Sequence, residues 1–193
     1  MVLNKNYGGI LLIPCSLFTS PPHNIMPAGL PIGFPLPTEH NIIELKFYPE
    51  YRAVTYTHTG QPQYATQAAF DSLYQHISSN QIAMTTPVEA RYLEEETTVE
   101  VSFLYPNSNI NPHQINPNVK VTDYPAMTVI SAGIQGAYTW ENYQNYLQKL
   151  QNWLAENPQY QIAGPPRRLL YNSPMTPEQM KRSEVQIPVR LVQ

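Results

Sequence analysis

Apolar and polar residues alternate in two segments, one in each half of the chain. Over residues 99–103, valine and phenylalanine alternate with Glu100 and Ser102, and over 184–187, valine and isoleucine alternate with Glu184 and Gln186. A period of two residues predicts β-strands that have one buried face and one face directed to solvent or to a pocket.

Two other segments follow the period of an α-helix. Apolar residues at positions 70, 73, 74 and 77 share one side of a predicted helix, which the polar residues 78–80 end. The second predicted helix begins after Thr139, a good N-cap residue, and carries an apolar stripe from Trp140 to Leu154. Asn157 and Pro158 end it.

The order of these elements indicates an internal repeat. Residues 43–60 align without gaps with residues 119–136, so that Tyr48-Pro49 matches Tyr124-Pro125 and Gly60 matches Gly136. Two further strands are predicted after each helix. The prediction is an α+β domain of two pseudo-symmetric ββαββ repeats, over about 42–106 and 118–192. Together they would form a curved antiparallel sheet or distorted barrel with two packed helices.

The segment before this domain has a different composition. Residues 1–41 form a Pro-rich tail, predicted to be an extended linker or a strap lying on the domain at 42–193. The apolar stretch 7–18 could belong to an export signal, but Pro14 interrupts it and no A-x-A cleavage site follows. We therefore expect a non-targeting tail and a cytoplasmic protein, with an export signal as the alternative. No apolar stretch of about 20 residues predicts a transmembrane helix.

Composition narrows the possible functions. The chain has 193 residues, a net charge of −3 and only 13% charged residues, so no basic stripe is available for nucleic acid. Cys15 is the only cysteine, which excludes an internal disulfide and a CxxC metal site. Neither a nucleophile elbow nor a His-rich metal constellation occurs, which favours a binding protein over an enzyme.

Three short motifs carry a resemblance to a known family. They are "MTTPV" at 84–88, "YNSPMTP" at 171–177 and "RSEVQIPV" at 182–189. In this order they resemble the SOUL haem-binding family over roughly residues 42–191. The resemblance implies the two-repeat fold, which gyrase-inhibitor-like ligand-binding domains share, and a tendency to bind haem or other tetrapyrroles. It implies no fixed axial ligand.

A tetrapyrrole site needs apolar or aromatic surface, cations for the propionates and, for tight iron binding, an axial ligand. The aromatic candidates are Tyr56, Tyr74 and Tyr143, which could equally fill the core. His76 and His58 are the candidate axial ligands, although a buried or rim imidazole is the commoner role, and Met84 is a soft ligand or core filler. Of Arg167 and Arg168, one is expected on the helix side, where it could pair with a propionate, and the other in water.

Glu184 is the candidate for a different chemistry. Glu100 and Glu184 occupy equivalent strand positions, and an acidic pocket residue in gyrase-inhibitor-like domains can meet a cationic ligand. Glu184 could instead lie on a solvent-exposed strand face. Three hypotheses follow: a tetrapyrrole carrier, buffer or sensor with a groove between sheet and helices; a small-molecule-binding or hydrolase domain with acidic Glu184; and an interaction module that binds a protein partner through the Pro-rich tail.

Overall fold

A computed structural model describes residues 28–93 and 97–192 of the chain. The apolar stretch 7–18, predicted to be part of a non-targeting tail, and Cys15 lie outside the described residues. The fold is α+β, with two helices and a curled antiparallel sheet that forms a half-barrel. This confirms the predicted fold class.

Nine strands and two α-helices follow one another in the described residues. They are β1 (Ile43–Tyr48), β2 (Tyr51–Thr59), α1 (Ala65–Ser79), β3 (Val88–Tyr92), β4 (Thr98–Leu104), β5 (Lys120–Tyr124), β6 (Met127–Gln135), α2 (Trp140–Glu156), β7 (Tyr160–Ile162), β8 (Arg167–Leu170) and β9 (Arg182–Leu191). Both predicted helices are present. Within the described ranges, neither is long and apolar enough to cross a membrane.

The pairs between these nine strands are all antiparallel, and the hydrogen-bonded order is β1-β6-β9-β8-β3-β4-β2-β5, with the short β7 beside the C-terminal end of β9. The Tyr-Pro pairs 48–49 and 124–125 lie at the β1–β2 and β5–β6 turns. Gly60 and Gly136 follow β2 and β6 with φ angles of 136° and 134°, a region that residues with a side chain rarely adopt. The internal repeat itself stays a prediction.

One face of the sheet carries both helices and the main apolar core. Helix α1 packs on β2 and β4, whereas α2 packs on β6 and β9. The core consists of the inward-facing residues of these elements, including Val54, Leu73, Val101, Ile130, Tyr143, Leu150, Val185 and Ile187. Because α1 and α2 cover different strand pairs, β3 and β8 lie in the middle of this face, between the two helices.

The opposite face of the sheet, which we call the strap face, is covered by residues 28–41, the strap. Phe34 of the strap packs edge-on against the rings of Tyr48 and Tyr51, at centroid distances of 5.0 and 5.3 Å. Further along, Thr38 is buried and bonds to the side chain of Ser131 at 3.2 Å. The predicted domain boundary at residue 42 stays a prediction, although the strap lies directly against the sheet.

Candidate ligand-binding sites

The middle of the helix-covered face is a strip that we define by Met84, Val88, Ala90, Arg168 and Leu170, the inter-helix strip. Val88 pairs with Leu170, and Ala90 pairs with Arg168, across the β3–β8 ladder. Met84, Val88 and Leu170 are half-buried, so this strip keeps partly accessible apolar surface between two otherwise well-covered sheet regions.

Aromatic residues border the strip at the beginning of α2. The ring of Tyr143 lies 4.3 Å from that of Tyr92 and 4.8 Å from that of Trp140, measured between centroids. Tyr143 and Tyr92 are buried, while Trp140 is half-buried. Thr139 begins the helix by accepting a hydrogen bond from the backbone N–H of Asn142 at 3.1 Å. This cap fixes the position of the aromatic group.

Arg168 lies among these rings and is the unusual charge of the strip. It is 5% exposed, and its Nη1 donates to the carbonyl of Thr139 at 3.0 Å. Its guanidinium is 5.4 Å from the centre of the Tyr138 ring. Nε and Nη2 have no hydrogen-bond partner, and no carboxylate of the described ranges forms an ion pair with it. Desolvation by burial lowers the pKa of Arg168.

A second aromatic group lies on α1. Phe70 and Tyr74 stack with a centroid distance of 5.8 Å and an interplanar angle of 7°, yet they are 42% and 52% exposed. Phe70 also contacts Phe103 edge-on at 5.6 Å, and Phe103 pairs with Val88 of the strip. A continuous series of contacts therefore joins this exposed pair to the strip. Tyr56 is half-buried and packs against the core.

The candidate axial ligands are engaged elsewhere. His76 is fully buried, its Nε2 lies 2.8 Å from the hydroxyl of Tyr105, and burial lowers its pKa. His58 is half-buried, with Nε2 3.2 Å from the carbonyl of Gln61. Met84, which belongs to the strip, packs against the core. Among residues 28–93 and 97–192, no group of three or more His, Cys, Asp or Glu side chains could hold a metal ion.

Glu184 lies on the strap face, where it is fully buried and fully hydrogen-bonded. Its Oε1 accepts from Lys46 Nζ at 2.6 Å and from the backbone N–H of Thr38. Its Oε2 accepts from the hydroxyl of Tyr171 at 2.7 Å and from Gln186 Nε2 at 2.9 Å. Burial alone would raise the pKa of Glu184, but the charge of Lys46 and the hydrogen bonds from Lys46 and Thr38 hold it below its usual range.

Glu100 does not share this environment, although it has the equivalent position in the predicted repeat. Its carboxylate pairs with Lys120 at 2.6 Å, on partly exposed surface. Strands β4 and β9 are separated by β3 and β8, and three strand spacings amount to about 14 Å. Glu184 therefore has no coupled carboxylate partner in Glu100.

A second buried carboxylate, Glu89 of β3, also lies on the strap face. It accepts from the hydroxyl of Tyr51 at 2.7 Å, from Arg91 Nη2 at 2.7 Å and from Arg167 Nη1 at 3.2 Å. The expectation that one of the two arginines faces water is wrong, because both are buried: Arg167 is 0% exposed and Arg168 is 5% exposed.

Gln186 joins the two acidic groups into one network. It accepts from Arg167 Nε at 2.9 Å and donates to Glu184. Sequence reasoning did not select Glu89, Tyr51 or Lys46. The available signal was the alternation of Glu89 and Arg91 with apolar residues on β3, which places both charged side chains on one face of the strand. In the structure this strand pairs with β8, which carries Arg167.

The comparisons with known proteins agree on the fold. A family model described as SOUL heme-binding protein matches residues 34–188. The crystal structure of the EcmrR C-terminal domain has a TM-score of 0.65 and 19% identity, and covers 78% of this chain and 98% of its own. A hydrolase from Listeria innocua has a TM-score of 0.58 and 14% identity, over 79% and 94%.

A third solved structure, SAV2435 bound to tetraphenylphosphonium, has a TM-score of 0.55 and 12% identity, over 77% of this chain and 94% of its own. No curated protein matches. At these identities the solved structures establish the architecture, and the family match covers most of the chain.

Proposed function

Because the chain belongs to the SOUL heme-binding protein family, we propose that it binds haem or another tetrapyrrole reversibly at the inter-helix strip, as a carrier, buffer or sensor. The proposal rests on the environment of Arg168. This buried cation has two nitrogen donors, Nε and Nη2, without a hydrogen-bond partner, and no carboxylate partner in the described ranges.

A buried charge without a counter-charge is unfavourable, and an anionic ligand would remove the penalty. Arginine binds carboxylates through paired N–H donors, and the propionates of haem and protoporphyrin are carboxylates. Nε and Nη2 of Arg168 are two donors on one side of the same guanidinium. They therefore suit one propionate.

The apolar part of the ligand would contact the remaining surface of the strip. Met84, Val88 and Leu170 offer partly accessible aliphatic groups, and the exposed Phe70–Tyr74 pair offers aromatic faces beside them. Aromatic rings stack favourably on planar π-systems. The proposed site thus combines an apolar floor, a flat aromatic flank and one cation.

The residues fit the faces and carboxylates of a tetrapyrrole better than they fit axial coordination of iron. Nε2 of His76 and of His58 each have a partner outside the strip, and Met84 packs against the core. A bound tetrapyrrole would supply light absorption and, where it carries iron, redox chemistry. The role of the described residues in this proposal is to bind and orient it without a protein–iron bond.

The test is a difference-absorbance titration with haemin, with iron-free protoporphyrin IX and with the dimethyl ester of protoporphyrin IX. We expect saturable one-to-one binding of the first two. The ester should bind about ten- to a hundredfold more weakly, because a hydrogen bond to a charged group contributes about 1.5–3 kcal/mol. Equal binding of the acid and the ester would exclude the Arg168 contact, and no saturable binding at micromolar concentration would end the proposal.

Variants separate the strip from other basic or ligating residues. Arg168→Met should weaken protoporphyrin binding as much as esterification does, whereas Arg190→Met, which changes an exposed arginine on β9, should leave it unchanged. His58→Ala and His76→Ala should retain protoporphyrin binding. Loss of the haem spectrum in only one of these two variants would identify that histidine as an axial ligand. It would contradict binding without a protein–iron bond.

A second candidate function rests on Glu184. A fully buried carboxylate beside the hydroxyls of Tyr48 and Tyr171 is a suitable acceptor for an organic cation. The similar fold of SAV2435, which was solved with tetraphenylphosphonium, supports this alternative only by analogy. Equilibrium dialysis with tetraphenylphosphonium, compared between the natural chain and Glu184→Gln, tests it. Equal binding by both would exclude Glu184 as the acceptor.

A further inference from the structure

We propose that the strap is an internal occupant of the Glu184 site, in which Phe34 holds the position of a ligand's aromatic ring and Lys46 that of its cation. Release of the strap then opens the site to an aromatic organic cation. This inference rests on the second candidate function proposed above, and it concerns how that site is closed.

Lys46 already makes the contacts that a bound cation would make. Its ammonium is 2.6 Å from Glu184 Oε1 and donates to the strap at the carbonyl of Leu36, 2.6 Å away, and at the hydroxyl of Thr38, 3.2 Å away. The side chain of Lys46 is 5% exposed. Two of the three acceptors of this ammonium thus belong to the strap, so strap and cation are held together.

Phe34 supplies the aromatic part. Its ring meets Tyr48 at an interplanar angle of 81° and Tyr51 at 87°, the edge-to-face geometry that aromatic ligands also adopt in tyrosine-lined sites. Beneath it lie Val129 and Leu169, which are fully buried. Without the strap, this surface would present tyrosine rings and aliphatic groups next to a carboxylate.

Hydrogen bonds attach the strap at several points along its length, and its close approach to β6 depends on a glycine. At Gly133, which faces the strap, an added Cβ would overlap the carbonyl oxygens of Thr38 and Glu39. Pro31, Pro35 and Pro37 restrict the unbound strap, so that little conformational freedom is lost when it docks. Outside its anchoring residues the strap is exposed, with Leu36 at 77%. These properties suit a segment that docks and leaves as a unit.

Release would change the charges at the site in a defined way. Glu184 loses the N–H of Thr38, and Lys46 loses its two strap acceptors, so the ammonium can turn towards water. Glu184 would then have one donor fewer and a less firmly held counter-charge, which favours an incoming cation. If the open form makes up about 1–10% of the molecules, full release would tighten cation binding roughly ten- to a hundredfold.

The experiment uses the full chain and tetraphenylphosphonium as the probe. Gly133→Ala should displace the strap, Gly29→Ala is the matched control because an added Cβ there meets nothing within 4 Å, and Phe34→Ala is a second release variant that leaves the sheet unchanged. Hydrogen exchange of residues 34–41 measures release, and equilibrium dialysis measures binding.

We expect faster exchange and roughly ten- to a hundredfold tighter binding in Gly133→Ala, with a smaller gain in Phe34→Ala and none in Gly29→Ala. Adding Glu184→Gln to Gly133→Ala should abolish the gain. Two outcomes would overturn the inference and differ in meaning. If binding depends on Glu184 but release of the strap does not tighten it, the cation site is supported and the strap is excluded as its occupant. No binding by a released, folded variant excludes the second function itself, while tetrapyrrole binding on the other face remains separately measurable.

Discussion

Arg167 and Arg168 are adjacent in β8, yet their guanidinium groups lie on opposite faces of the sheet in opposite electrostatic situations. Arg167 is 3.2 Å from the carboxylate of Glu89 and also bonds to Tyr51 and Gln186. Arg168 is also buried, but no carboxylate of the described ranges pairs with it. One arginine completes a network, and the other has no counter-charge among residues 28–93 and 97–192.

Substitution of Arg168 should therefore stabilise the ligand-free protein. Arg168→Met keeps the apolar length of the side chain and removes a buried charge, so we expect the free energy of unfolding to rise by about 1 kcal/mol. Urea denaturation at pH 7 measures it. A loss of stability would show that the guanidinium is compensated in the ligand-free protein and would count against an anion site.

The same substitution at the neighbouring position should have the opposite effect. Arg167→Met leaves Glu89 buried with only Arg91 as its cation and removes the bond to Gln186, so we expect a loss of about 3 kcal/mol. The matched control is the double variant Arg167→Met, Glu89→Leu, which should recover most of this loss. If the double variant is less stable than the single one, Glu89 has sufficient partners without Arg167.

His76 should make stability depend on pH. Burial lowers the pKa of its imidazole in the folded protein below the ordinary value of 6.5. The unfolded chain then binds this proton at a higher pH than the folded one, so the free energy of unfolding falls as the pH drops below about 6.5, by up to about 1.4 kcal/mol per pH unit. Denaturation curves between pH 8 and pH 5 for the natural chain and His76→Gln check this. The variant should lack this part of the slope, and equal slopes would assign the dependence elsewhere.

The N-cap of α2 offers a local test. Thr139→Ala removes the acceptor for the N–H of Asn142 and should lower the free energy of unfolding by about 1 kcal/mol. Gln144→Ala, at an exposed position within the same helix, should change it by less than about 0.5 kcal/mol. The substitution keeps the backbone carbonyl of Thr139, which accepts from Arg168. Protoporphyrin affinity measured on Thr139→Ala therefore shows whether the cap helps to position that arginine.

Local patterns were sufficient for much of the fold. The alternation around Glu184 and Gln186 correctly placed both on the face opposite Val185 and Ile187, because side chains on a strand alternate by geometry alone. The helical stripe from Trp140 likewise identified α2 and its N-cap. These predictions needed information only from neighbours within a few positions along the chain.

The partners of the buried charges could not be obtained in that way. Thr38 and Lys46 meet Glu184 from 146 and 138 positions away, and the tail that contains Thr38 has the composition of a linker. Alternation places Arg167 and Arg168 on opposite faces, but it does not show that the strap covers one face and aromatic rings the other. Burial of both arginines is a tertiary property.

The contacts of the strap bear on how the chain can be shortened. The predicted repeat begins near residue 42, and a chain cut there would keep all the strands and both helices of the described residues. It would nevertheless lose the N–H of Thr38 from Glu184 and the carbonyl of Leu36 from Lys46, and it would uncover Tyr48 and Tyr51. A shortened chain that begins before residue 28 therefore preserves the buried network, whereas one that begins at the first strand produces a different surface chemistry on the same fold.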